Sequence, residues 1–223
     1  MSDPRLVIAI DGPSGAGKGT VARSVSQQLG YRHIDTGAMY RAVGWKATLE
    51  GLALDNEDAI AALARRADLT VEGGIVSIDG HDVTSAIRTP EIDKAAASVA
   101  RLPKVREILV ERQRAYGRDG GVVMEGRDIG TVVFPDADVK IYLDASPEER
   151  ARRRASDPAH TGSQAGQAAV AEAIQARDKS DTTRAVSPLT LAPDATLIDT
   201  THMPIAAVVE RVMALVRARL EGR

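Results

Sequence analysis

The chain contains no cysteine, which excludes disulfides and thiolate metal ligation outright. Aromatic side chains are nearly as scarce, with one Trp, one Phe and four Tyr among 223 residues, so aliphatic residues and alanine must fill the core. No apolar run approaches the roughly 20 residues needed to span a bilayer. The opening Met-Ser-Asp-Pro-Arg, followed by only five apolar residues, is too polar and short to read as a secretory leader. Charge of either sign is not in excess: the formal balance is −2, whereas phosphate-backbone binding wants a basic surface. Neither nucleic acid nor membrane is therefore an expected partner, and the expected location is cytoplasmic. The histidines, His33, His81, His160 and His202, fit no metal or triad spacing and are given no role.

What is present is sharper. Residues 12 to 20 read Gly-Pro-Ser-Gly-Ala-Gly-Lys-Gly-Thr, a G-x-x-x-x-G-K core entered directly from the apolar run Leu6-Val-Ile-Ala-Ile10. Val21, Val25 and Leu29 then recur at helical spacing, so a helix should begin near Lys18. Strand, glycine loop and helix together give the motif a mechanism: backbone N–H groups and a helix N-terminus cradle phosphates, and Lys18 reaches the terminal ones. The chain is expected to bind a nucleoside triphosphate. A strict P-loop has Ser or Thr directly after the lysine, whereas here Gly19 stands there and Thr20 follows. That ending resembles nucleoside monophosphate kinases rather than GTPase switches.

At 223 residues the chain suits one α/β core carrying an insertion or two. A short second strand is expected at residues 33–35, with Thr36 capping a helix that runs to about Leu49, and a further helix over 57–67. Short β-prone pieces at 69–71, 75–78 and 81–84, separated by Gly73-Gly74 and Asp79-Gly80, suggest an inserted antiparallel meander. Helices are expected on either side of Pro103, over 90–100 and 105–116. Residues 121–125 and 139–143 read as buried strands. Ser146, Pro147 and Glu149 form the pattern of a capping box at the start of the next helix. Residues 157–166 are polar and glycine-containing, the composition of a mobile loop, and an alanine-rich helix follows up to Arg177. A last strand at 195–199 precedes an amphipathic helix over 204–220 with Ile205, Val208, Val212 and Leu215 on one face. Alternation of strands and helices implies a doubly wound parallel sheet, with ligands at the carboxyl ends of its strands.

Phosphoryl transfer needs positioning and charge neutralisation rather than covalent help. The second half of the chain supplies guanidinium groups: Arg127, Arg150, Arg152, Arg153, Arg154, Arg177 and Arg184. Their planar forks match phosphate oxygens two at a time. Those over 150–154 read either as a solvated helix face or as a lid that excludes water. Arg127 follows a buried strand through Glu125-Gly126, at the ligand-binding edge. Glu125 ends that strand beside the P-loop strand, where a carboxylate can orient magnesium through water. Asp35 ends another strand and is equally well read as structural.

Four segments, in this order and spacing, closely resemble bacterial cytidylate kinases. They are residues 12–20, Asp35-Thr-Gly-Ala-Met-Tyr-Arg41, Glu125-Gly-Arg-Asp-Ile-Gly-Thr-Val-Val-Phe-Pro135, and Arg177-Asp178 followed by Arg184-Ala-Val-Ser-Pro-Leu189. The resemblance runs over nearly the whole length and implies one P-loop kinase domain over residues 1–223. Its core would be about 1–35, 104–145 and 190–223, its monophosphate-binding insertion about 36–103, and its helical lid about 150–185. It implies that Gly12, Pro13, Ser14, Gly15, Ala16, Gly17, Lys18, Gly19 and Thr20 hold ATP, with Arg153 and Arg154. Ser98, Arg106 and Asp128 would face cytosine, whose amino donor and ring acceptors suit a carboxylate and an arginine together. Thr36, Tyr40, Arg41, Arg127 and Arg184 would surround the acceptor phosphate, with Arg177 and Asp181 near phosphate and sugar. Lys18, Arg127, Arg177 and Arg184 would carry catalysis. Thr36 keeps a hydroxyl where serine is common in the family, and the stretch between Arg177 and Arg184 is less basic than expected.

The implied activity is transfer of the ATP γ-phosphoryl group to CMP and dCMP in pyrimidine metabolism. Magnesium would enter with ATP, held mostly by phosphates and water with no side chain assigned as a direct ligand. A monomer is the default expectation. Two competing readings are a kinase for another small acceptor such as shikimate, and a nucleotide-dependent switch. The meander and the Arg127-Asp128 pair speak against the first, and Gly19 against the second.

Overall fold

The structure is a computed structural model that describes residues 5–157 and 166–222. The expected mobile loop over 157–166 lies, except for its two ends, outside the described residues. A five-stranded, all-parallel sheet forms the centre. Strand β1 (Val7–Asp11) lies in its middle, between β6 (Val122–Gly126) and β7 (Val139–Asp144), with β2 (Arg32–Asp35) and β8 (Thr196–Asp199) at the edges. Successive side chains of a strand point to opposite faces. Ile8 and Ile10 accordingly join a core with Val21 and Val25 of helix α1 (Lys18–Leu29) and Val208 and Val212 of helix α8 (Ile205–Glu221). Ala9 and Met124 face the other core, with Met39 and Val43 of helix α2 (Thr36–Leu49) and Val105 and Leu109 of helix α5 (Pro103–Gly117). Helices on both faces of a parallel sheet make the doubly wound α/β architecture expected above. The register sets Asp11 against Gly126 and Asp35 against Glu125, so three strands end level on one rim.

Between α2 and α5 the chain leaves the sheet. Helix α3 (Glu57–Arg66) leads to an antiparallel meander of β3 (Leu69–Glu72), β4 (Ile75–Ile78) and β5 (His81–Asp82), followed by helix α4 (Pro90–Val99). Both hairpin loops have two residues at positive φ, Gly73 and Gly74, then Asp79 and Gly80. That is the backbone a tight hairpin demands. Further on, helix α6 (Pro147–Ala155) and helix α7 (Gln167–Thr183) pack together, α7 running a turn and a half past Arg177. No helix among the described residues is long and apolar enough to cross a membrane.

Four local expectations are corrected. Asp35, not Thr36, caps α2: its carboxylate accepts from the N–H of Ala38 at 3.0 Å, and Thr36 is already helical. Pro103 sits inside the first turn of α5 rather than before it, a position where its missing N–H costs nothing. Only half of the capping box forms at α6. Ser146 Oγ accepts from Glu149 N–H, but Ser146 N–H donates to Thr201 Oγ1, because Glu149 is drawn to Arg152 and Arg153. Ile205 is exposed and does not share the buried stripe of Val208 and Val212.

Candidate active site

The loop between β1 and α1 turns on Gly12 at φ 144°, where a Cβ would lie 2.0 Å from the carbonyl oxygen of Leu143 on the neighbouring strand. No side chain fits there. Residues 14–20 line one end of a cavity of about 1100 Å³, while Gly12 and Pro13 lie behind it. Lys18 is buried and folds back, its Nζ donating to the carbonyl of Pro13 at 2.7 Å. Burial, with the nearby Arg127 cation adding to it, pulls its pKa down to about 7. An ammonium so placed has much to gain from an incoming anion. A Cβ on Gly19 would stand 3.1 Å from Glu125 Oε1, so the missing hydroxyl of the strict motif has a local cause: a carboxylate crowds the position.

The main chain of Ser14 is held on both sides of its Cα. Its N–H donates to Asp178 Oδ1 of α7 at 3.1 Å, and its carbonyl accepts from Arg150 Nη1 of α6 at 3.1 Å. Arg150 also pairs with Asp178 and donates to the carbonyl of Ala145. It is thus a support for the loop rather than a free phosphate ligand. Arg153 lines the cavity and is held by Glu149 and by the side chain and carbonyl of Thr200. Arg154 lines it too and reaches across to Asp93 of α4. Arg152 is exposed and pairs with Glu149.

Thr36, Tyr40, Arg41, Arg106, Arg127 and Asp128 line the other end, with Arg177 and Arg184. Thr36 Oγ1 donates to the carbonyl of Glu125 at 2.7 Å, and Arg41 pairs with Asp35 at 2.7 Å. Asp181 is buried and off the cavity wall. It accepts from Arg127 at 2.9 Å and from Arg177 at 3.2 Å, with Arg184 at 3.8 Å. Burial opposes its ionisation, yet these three cations hold its carboxyl below the usual range. Asp181 therefore orders three arginines from behind, which explains the acidic residues in a stretch expected to be more basic. Asp128 pairs with Arg106 and lies 3.5 Å from Arg184. The Arg106 guanidinium stands 5.4 Å from the Tyr40 ring centroid. Arg41 Nε, Arg106 Nε and Arg184 Nη2 are buried without a hydrogen-bond partner among the described residues. Such groups are ordinarily satisfied, so this end is built for a polar, anionic ligand.

The structure separates one residue from this group. Ser98 is exposed, its hydroxyl donating to the carbonyl of Lys94. Its neighbour Ala97 lines the cavity instead, since one helical residue turns the side chain by about 100°. Sequence reasoning also missed three side chains. His33, given no role, sets Nε2 3.0 Å from Glu125 Oε1. Asp178 grips the P-loop, and Asp11 accepts from the N–H groups of Ile129 and Gly130. Only the position of Asp11 and His33 near strand ends on the rim signalled them.

The family model described as "Cytidylate kinase" matches residues 8–218. The chain is 50% identical over 219 residues to the cytidylate kinase of Desulfitobacterium hafniense (strain Y51), covering 97% of this chain and 94% of that protein. It is 53% identical over 216 residues to that of Pelotomaculum thermopropionicum, covering 95% and 96%. Among solved structures, a gluconokinase from Sinorhizobium meliloti 1021 superposes with a TM-score of 0.52 at 15% identity, covering 100% of this chain and 97% of that one. That last likeness speaks to the fold alone.

Proposed function

The chain belongs to the cytidylate kinase family, and from that premise we infer that it transfers the γ-phosphoryl group of ATP to CMP and dCMP, giving ADP and CDP or dCDP. The observation that carries this reading in the site is the joining, in one cavity, of a phosphate loop at one end and the buried Arg106–Asp128 pair at the other. Residues 14–20 with Lys18 would hold the ATP phosphates, with Arg153 and Arg154 above them. Arg41, Arg127, Arg177 and Arg184 would neutralise the acceptor phosphate and the charge that develops between the two nucleotides. Asp128 and Arg106 would read the cytosine edge against Tyr40.

Glu125 fits the one protein role that magnesium needs here. It is a buried carboxylate on the cavity wall, close beside Gly19, and a phosphate-bound magnesium keeps most of its water. Bound with ATP, the metal would neutralise phosphate charge, with Glu125 holding it through water. The chain's own residues do the rest: Lys18 follows the terminal phosphates, and α6 and α7 close the cavity against water that would otherwise hydrolyse ATP. The division into core, insertion about residues 36–103 and lid about 150–185 belongs to this proposal, as do a monomeric state and a cytoplasmic location.

ADP release from ATP, measured with and without each nucleoside monophosphate, tests the reading. CMP and dCMP should raise turnover by orders of magnitude. Slow turnover indifferent to CMP would refute it.

A further inference from the structure

Asp11 ends β1, directly before the phosphate loop, yet does not line the cavity. Its carboxylate is buried and accepts two backbone hydrogen bonds at 2.8 Å, Oδ1 from the N–H of Ile129 and Oδ2 from the N–H of Gly130. These amides open a single wide helical turn, Ile129–Val133, which follows Arg127 and Asp128 without a break. Wide turns of this kind are rare, and they are frequent at functional sites. Asp128 makes no side-chain cap on that turn, its carboxylate being turned to Arg106 and Arg184. The cap is thus supplied from β1, leaving Asp128 available to the cavity.

The choice of residue is specific. Two parallel N–H groups ask for two acceptor oxygens, and among side chains of this length only a carboxylate has them. Asparagine would turn an NH2 group against one of the two donors. The chain keeps the carboxylate although burial raises its pKa to about 6, so ionising it carries a real cost.

We propose that Asp11 is a positioning residue that fixes the Arg127-Asp128 corner and so sets selectivity between cytosine and uracil. This rests on the reading above, in which Asp128 faces the base. Uracil has a carbonyl where cytosine has an amino group, and a rigid carboxylate penalises it, whereas a loosened one can turn away.

The test compares D11N, D128N and the double variant in kcat/KM for CMP and UMP, with melting curves to confirm folding. D11N should narrow the CMP-to-UMP ratio by about three- to tenfold, mostly through KM for CMP, as follows from losing one hydrogen bond to a charged group. KM for ATP should move by less than about twofold, and the double variant should be no less selective than D128N. A merely structural role would lower both substrates together. A narrowed ratio in D128N with a wild-type ratio in D11N overturns the positioning role and leaves the base-reading role standing. An unchanged ratio in D128N overturns base reading itself. Amide hydrogen exchange of the wild-type protein needs no variant: Ile129 and Gly130 should be strongly protected, and exchange at open-loop rates would overturn the proposal.

Discussion

At the scale of single residues, the most telling property is the lowered pKa of Lys18, about 7 in the free protein through burial and the neighbouring Arg127. Phosphate oxygens favour the charged form and should raise it again. ATP binding should therefore take up a proton, about half per site at pH 7 and about 0.9 at pH 8. Calorimetry in two buffers of different ionisation enthalpy reads this directly, and K18M should show no such uptake. K18A should keep the fold and lose at least about tenfold in kcat, the 1.5–3 kcal/mol of a charge-assisted contact. Asp11 runs the opposite way. Its folded pKa of about 6 lies above the ordinary 3.8, so its stabilising share is full below pH 3.8 and lost as pH rises through 6. The stability of wild type relative to D11N should then fall by up to about 3 kcal/mol across that window, which urea unfolding at pH 4 and 7.5 would record. Gly19 is a third case. Restoring the strict motif with G19S should lower kcat, because its Cβ presses on Glu125, and a fully active variant would contradict that. The loop was legible from residues 12–20 alone, but the reason for Gly19 was not, since Glu125 approaches it only after folding.

At the scale of elements, α6 and α7 do more than cover the cavity. Arg150 and Asp178 hold the main-chain carbonyl and N–H of Ser14, while Arg177, next to Asp178, donates to the carbonyl of Asp93 on α4. One helix thereby touches the donor loop and the insertion through consecutive residues. D178N should raise KM for ATP by about three- to tenfold, by loss of a charged hydrogen bond, and should speed amide exchange along α7. Unchanged exchange would mean the contact does not anchor the helix. Most elements could be read beforehand, because their signals are local: the Ser146-Pro147 start of α6, the glycine pairs of the meander, the apolar period of α8. Pairings across the fold could not. The arginines over 150–154 look alike in sequence, yet Arg150 is buried under the P-loop and Arg152 is exposed. Ser98 and Ala97 differ by one helical step, too small a difference for composition to resolve.

For the whole molecule, the cavity gathers Arg41, Arg106, Arg127, Arg177 and Arg184 on a chain whose formal charge is −2. Two anionic nucleotides relieve that local repulsion. A ligand at 100 times its Kd adds about 2.7 kcal/mol, and each kcal/mol shifts Tm by about 2–4 °C at this size. CMP with a non-hydrolysable ATP analogue should thus raise Tm by at least about 5 °C. The joint shift should exceed the sum of the separate ones, given the shared contact of α7, and strict additivity would argue against coupling between the sites. The parallel fold class was legible in the alternation of strands and helices, whereas the exact register of its strands is a tertiary outcome. That register carries a consequence for synthesis. Among the described residues, the strand that leads into the phosphate loop pairs only with β6 and β7, and Gly12 closes against Leu143. A nascent chain halted before residue 122 thus contains every residue of the loop and no lateral partner for its strand. ATP affinity should emerge on the ribosome only after β7 has left the tunnel, well behind the motif that encodes it.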